Sequence, residues 1–155
     1  MNDMTKIKNN TFITSYDRLA SDNYCDRMIK KFEEIANNSS LVQRSGHSGT
    51  EQYGAKTRKD LSIFFHEQHN NALDLAQETN KILDDGLKLY TEEYPSLNSC
   101  HNYYSHIVKV QKTPPKGGFH SWHCEKNTVE PSRCLVWTIY LNDIPKGEGE
   151  TEFLE

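Results

Sequence analysis

Cys134-Leu135-Val136-Trp137-Thr138-Ile139-Tyr140-Leu141 is the stretch on which the reading of this chain turns. It carries no charge and is rich in β-branched and aromatic residues, the composition of a strand. Apolar residues on both faces predict that it is buried. The flanking sequence predicts more β-structure. Residues 103–112 read as a strand through Ile107, Val108 and Val110, and Pro114-Pro115-Lys116-Gly117-Gly118 as a turn. Residues 119–125 read as a short strand, 126–132 as a loop, and 142–149 as a second loop with Pro145 and two glycines. Thr151-Glu152-Phe153-Leu154 opens a further strand.

The first half has a different period. Ser21 or Asp22 is a good N-cap, and Tyr24, Met28, Phe32 and Ile35 follow at helical spacing. This predicts a helix over 22–36, ended by Asn37-Asn38-Ser39-Ser40. A longer helix is predicted over 67–94 from Ala72, Leu75, Thr79, Ile82, Leu83, Leu87 and Tyr90, with Pro95 as its stop. Gly86 weakens that helix slightly. Leu61, Ile63 and Phe65 alternate as a short strand does. Residues 1–18 read as an edge strand or a disordered arm, and 43–60, with Gly46, Gly49 and Gly54, as a mobile loop. Helices followed by strands give the class α+β.

Bulk properties narrow the function. The chain has 155 residues, the size of one domain, and a net charge of −4 with acidic and basic residues well mixed. A nucleic-acid partner calls for a clustered basic face, which this sequence lacks. No apolar run is long enough to span a bilayer, and the first residues lack the apolar stretch of a signal peptide. The expectation is a cytoplasmic protein without nucleic-acid or membrane partners. Cys25, Cys100, Cys124 and Cys134 show no two-residue spacing and read as free thiols.

The residues with chemical potential lie in Phe119-His120-Ser121-Trp122-His123-Cys124-Glu125. On a strand, His123 and Glu125 project to one side, roughly 6 to 7 Å apart along the backbone. An imidazole and a carboxylate so placed can chelate one divalent cation, and a distant second histidine would complete the facial triad of non-haem iron oxygenases. His120 competes with His123 but faces the other way on a regular strand. A zinc site from His120, His123 and Cys124 meets the same objection. Taken alone, His-x-Glu is a common tripeptide, and a hydrogen-bonded surface pair is the ordinary explanation for it.

The order of three segments changes that weighting. Gly117-Gly118-Phe119-His120-Ser121-Trp122-His123-Cys124-Glu125, then Arg133 to Asp143, then Gly149-Glu150-Thr151-Glu152-Phe153 resemble the iron(II)- and 2-oxoglutarate-dependent dioxygenases, in their prolyl 4-hydroxylase-like branch. The resemblance runs from about Tyr103 to Glu155. It implies helices packed on a partial double-stranded β-helix of the jelly-roll or cupin type, with 1–100 as the helical portion and 101–155 as the first half of the barrel. It implies His123 and Glu125 as ligands of Fe(2+), Tyr140 as a contact of the 2-oxoglutarate cosubstrate, and ascorbate as an accessory. Such a domain couples decarboxylation of 2-oxoglutarate to hydroxylation of a C–H bond in a protein or small molecule.

Departures from the family pattern are specific. Glutamate stands at 125 where aspartate is commoner. Thr113 occupies the place of a family tyrosine, and Glu148 separates Gly147 from Gly149. No histidine follows Glu125, so the distal histidine and the Arg or Lys that holds 2-oxoglutarate have no counterpart in these residues. His106, on the preceding strand, is the nearest substitute ligand. The expectation is therefore a chain that lacks the C-terminal strands of its domain, exposes strand edges, and self-associates through them. The alternative is a catalytically dead remnant serving as a binding or interaction module.

Overall fold

A computed structural model describes residues 5–8, 12–37, 43–45, 60–64, 73–99, 102–105, 108–113, 115, 122–124, 126 and 131–154. Two helices form its centre. Helix α1, Asp22–Asn37, starts where the capping pattern predicts. Ser21 Oγ accepts the Tyr24 amide at 3.1 Å, and its carbonyl accepts the Cys25 amide at 3.0 Å. Asp22 places a negative charge in the first turn, where the helix dipole favours it. Helix α2, Leu73–Glu93, ends just before Pro95, which lacks the amide to continue it. A 3-10 turn, Pro95–Ser99, follows, and Leu97 returns its amide to the Tyr94 carbonyl.

The two helices face each other through Tyr24, Met28 and Phe32 from α1 and Leu75, Thr79 and Ile82 from α2. These recur at intervals of three or four, so each set forms one stripe. Thr79 Oγ1 donates to the Leu75 carbonyl at 2.7 Å, which commits its only proton. The Tyr24 hydroxyl, 2.7 Å from Thr79 Oγ1, must therefore be the donor in that bond. Outside this stripe, Arg27 spans the helices. Its guanidinium pairs with Asp74 at 3.2 Å and with Glu78, while Nε donates to Asn23 at 3.0 Å.

Two small sheets flank the helices. Strands β1, Thr5–Lys8, and β2, Thr14–Asp17, form an antiparallel hairpin with Thr5 opposite Asp17 and Lys8 opposite Thr14. The hairpin is anchored to α2. Tyr90 donates its hydroxyl proton to the Phe12 carbonyl at 2.6 Å, and the Phe12 ring packs on Tyr94 with centroids 5.2 Å apart. These contacts hold Phe12 at φ 59°, an uncommon conformation for a residue with a side chain. Leu19 approaches α2 at Gly86, where a methyl group would lie 3.1 Å from Leu19 Cδ2. The glycine that costs helix propensity therefore makes room for a neighbour.

The second sheet is antiparallel, in the order β3, Gln43–Ser45, β4, Asp60–Phe64, and β5, Lys109–Lys112. Ile63 lies opposite Val110. Val110 alone of β5 is buried, and it joins the helical core. Lys112 reaches Glu33 of α1 at 2.5 Å.

Several expectations require correction. The double-stranded β-helix is not formed: the described strands make only the hairpin and the three-stranded sheet. A strand lies within 43–60, which had read as a loop, and 1–18 supplies a hairpin. The strand expected over 103–112 is confined to Lys109–Lys112. Residues 134–141 join no ladder, nor do 122–124 or 151–154. Residues 134–141 also are not buried on both faces. Leu135, Trp137, Ile139 and Leu141 are half-buried, with Ile139 and Leu141 against the core, while Val136, Thr138 and Tyr140 are exposed. Periodicity reports which side chains meet the core, and pairing needs a neighbouring backbone that periodicity cannot supply. Among the described residues no helix is long and apolar enough to cross a membrane.

The buried hydroxyl pair makes a clear energetic prediction. Thr79→Val leaves the Tyr24 hydroxyl without its acceptor and should cost about 1–3 kcal/mol in urea unfolding. Adding Tyr24→Phe should recover part of that loss, because both polar groups are then gone.

Alkaline pH probes the same tyrosine. Burial raises the Tyr24 phenol above its ordinary value, and the bond from Tyr24 to Thr79 offsets this only in part. Burial also raises Tyr16 and Tyr90, helped for Tyr16 by the Glu93 carboxylate and for Tyr90 by Tyr94 and Glu93. The unfolded chain therefore loses these protons first. Stability should be full below about pH 10 and fall as pH climbs through the folded-state values. Tyr24→Phe should make that fall shallower in denaturant titrations across the range.

Candidate functional site

The residues singled out for metal and cosubstrate chemistry lie in the C-terminal third. Trp122, His123 and Cys124 are all exposed, so no burial alternation marks this stretch as a half-covered strand. The Cys124 thiol donates to the Lys126 carbonyl at 3.0 Å. Glu125, His120 and the other residues at 116–121 lie outside the described residues, as do Cys100 and His106. Cys25, Cys124 and Cys134 are free thiols. Burial, aided by Asp22 and Asp26, pushes the Cys25 thiol up, which disfavours the reactive thiolate.

Tyr140 lies on the outer side of 134–141, with 63% of its surface exposed. Its hydroxyl is 2.6 Å from Thr151 Oγ1. The intervening loop explains how the chain returns. The Glu148 amide donates to the Pro145 carbonyl at 3.1 Å, closing a four-residue turn with Gly147 at its third position. Gly147 has φ 87°, the left-handed conformation that a type II turn demands there. The Glu150 carboxylate accepts the Gly147 amide at 2.9 Å. Gly149 is also left-handed, with φ 62°, and a methyl group on it would lie 2.8 Å from Ile144 Cδ1. The two glycines separated by Glu148 thus form a specific turn that returns Thr151 to Tyr140.

Thr151 was not singled out as a site residue in the sequence. The signal was present in part: Pro145, Gly147 and Gly149 predict a tight return of the chain, and a return places the far end beside the near one. A hydroxyl has one proton and two lone pairs. If Thr151 donates, Tyr140 keeps its own proton for an anionic ligand, and Thr151 acts as a positioning residue. Among the described residues, no three His, Cys, Asp or Glu side chains gather in a group that could hold a metal ion.

No protein-family model, curated protein or solved structure matches the chain.

The turn can be tested directly. Gly147→Ala forces a side chain into a left-handed position and should cost the turn about 1 kcal/mol. The Glu148 amide should then exchange with deuterium several-fold faster, while the amides of α1 keep their protection.

Proposed function

We propose that this chain carries the metal- and cosubstrate-binding segment of an iron(II)- and 2-oxoglutarate-dependent oxygenase that hydroxylates a protein side chain or a small molecule. The observation that carries the reading is the order of three motifs: His123-x-Glu125, Tyr140 just before Leu141-Asn142, and Gly147 to Phe153.

The donor types fit a divalent cation. An imidazole and a carboxylate two residues apart are ordinary ligands of iron(II), and His123 is exposed to an incoming ion. When bound, iron(II) supplies the oxygen chemistry that is coupled to 2-oxoglutarate decarboxylation. The chain's own residues bind and orient. His123 and Glu125 hold the ion. Tyr140, with Thr151 fixing its hydroxyl, offers a hydrogen bond to the cosubstrate carboxylate. Two protein ligands hold a metal more weakly than three, so His123 and Glu125 by themselves should bind it modestly.

Cobalt(II) titration followed by its visible absorption tests the ligands. His123→Ala and Glu125→Ala should each weaken binding by at least about tenfold, since loss of even an outer partner can cost that much. Tyr140→Phe should leave cobalt binding unchanged and weaken the metal-dependent binding of 2-oxoglutarate measured by calorimetry. Equal cobalt affinity in wild type and His123→Ala would refute the assignment.

A further inference from the structure

The return of the chain from Tyr140 to Thr151 runs through two glycines, and glycine leaves a turn more freedom than any other residue. Gly147 and Gly149 both have positive φ, 87° and 62°. That path has to be selected from many if the Thr151 hydroxyl is to stay 2.6 Å from the Tyr140 hydroxyl. The bond from the Glu148 amide to the Pro145 carbonyl closes the first half of the turn. A side chain braces the second half. Glu150 reaches back three residues, and its Oε1 accepts the Gly147 amide at 2.9 Å. A glutamate accepting the amide three residues before it is one half of a capping box, used here to brace a turn. Glu150 directly precedes Thr151, so the same bond sets the backbone from which the Thr151 side chain projects.

We propose that Glu150 is a positioning residue for the cosubstrate. By tying its carboxylate to Gly147 it holds Thr151 against Tyr140, and so fixes the direction in which the Tyr140 hydroxyl meets the carboxylate of 2-oxoglutarate. The inference rests on the oxygenase reading for its ligand and adds to it a residue that acts through Thr151. The role needs an acceptor and not a charge, since a negative charge near Tyr140 would itself repel an anionic ligand.

Calorimetric titration of 2-oxoglutarate into the cobalt(II)-loaded chain tests this. Glu150→Ala should weaken that binding by about two- to tenfold, the worth of one ordinary hydrogen bond, and leave cobalt affinity unchanged. Glu150→Gln keeps an oxygen acceptor and should bind at least as tightly as wild type. Thr151→Val should weaken binding to a similar degree. Adding Glu150→Ala to it should have no further effect, because one residue acts through the other. With neither ligand present, the Gly147 amide should exchange with deuterium several-fold faster in Glu150→Ala and at the wild-type rate in Glu150→Gln. Equal weakening in Glu150→Gln and Glu150→Ala, additive losses in the double variant, or an unchanged Gly147 amide would each overturn the inference alone. So would full-strength binding by Glu150→Ala where Tyr140→Phe binds more weakly. No binding by the wild-type chain, or unchanged binding in Tyr140→Phe, would overturn the oxygenase reading together with it.

Discussion

The hydroxyl of Tyr24, donating to Thr79 Oγ1, is the contact around which the rest of this structure is arranged. Both groups are buried between α1 and α2, and Thr79 passes the chain of donation to the Leu75 carbonyl. A buried polar pair of this kind stabilises only while both members are present and correctly placed. It therefore fixes the axial register of one helix against the other more tightly than Met28, Phe32, Leu75 and Ile82 could by packing alone. Arg27 reinforces the same register from outside the stripe by bridging to Asp74 and Glu78. Those ion pairs are partly solvated and contribute less than the buried contact.

The other elements dock on that pair, each through few contacts. The three-stranded sheet reaches the core through Val110, supported at its margin by Lys112 and Glu33. The hairpin reaches α2 through Phe12, Tyr90 and Tyr94, and Gly86 lets Leu19 approach. The run at 134–141 contributes Ile139 and Leu141 to the edge of the core and leaves Val136, Thr138 and Tyr140 exposed. Among the described residues, most of the exposed large apolar side chains, from Trp122 to Leu154, lie in the C-terminal third.

The proposed cosubstrate contact and the turn at Pro145 to Glu150 share one residue, Tyr140. The turn at Pro145 to Glu150 exists to reverse the chain, and its consequence is that Thr151 holds the hydroxyl of Tyr140. A tyrosine on an exposed face has little reason to be steered unless its hydroxyl has a task or the turn needs an anchor. The first alternative agrees with a contact to an anionic cosubstrate. The second is a purely structural role for a motif whose glycines are already explained by their positive φ.

Local periodicity and end signals in the sequence marked the two helices, with Ser21 or Asp22 as the cap of α1 and Pro95 as the limit of α2; the structure selects Ser21, and 67–72 of the expected second helix lie outside the described residues. Those features depend on neighbours within one or two turns, which the sequence displays directly. The sequence also marked the glycine-containing loop at 142–149, but it reads 134–141 as apolar on both faces, and only the structure shows that one face is exposed. Strand pairing was decided only in three dimensions. The hairpin at 5–17, the strand at Gln43–Ser45 and the unpaired state of 134–141 each depend on a partner distant in sequence or absent. An alternating run looks the same in both cases, because its side chains record burial while its hydrogen bonds record company. The bonds from Tyr24 to Thr79 and from Tyr140 to Thr151 were hidden for the same reason: hydroxyls reveal their partners only once the chain has brought them within reach.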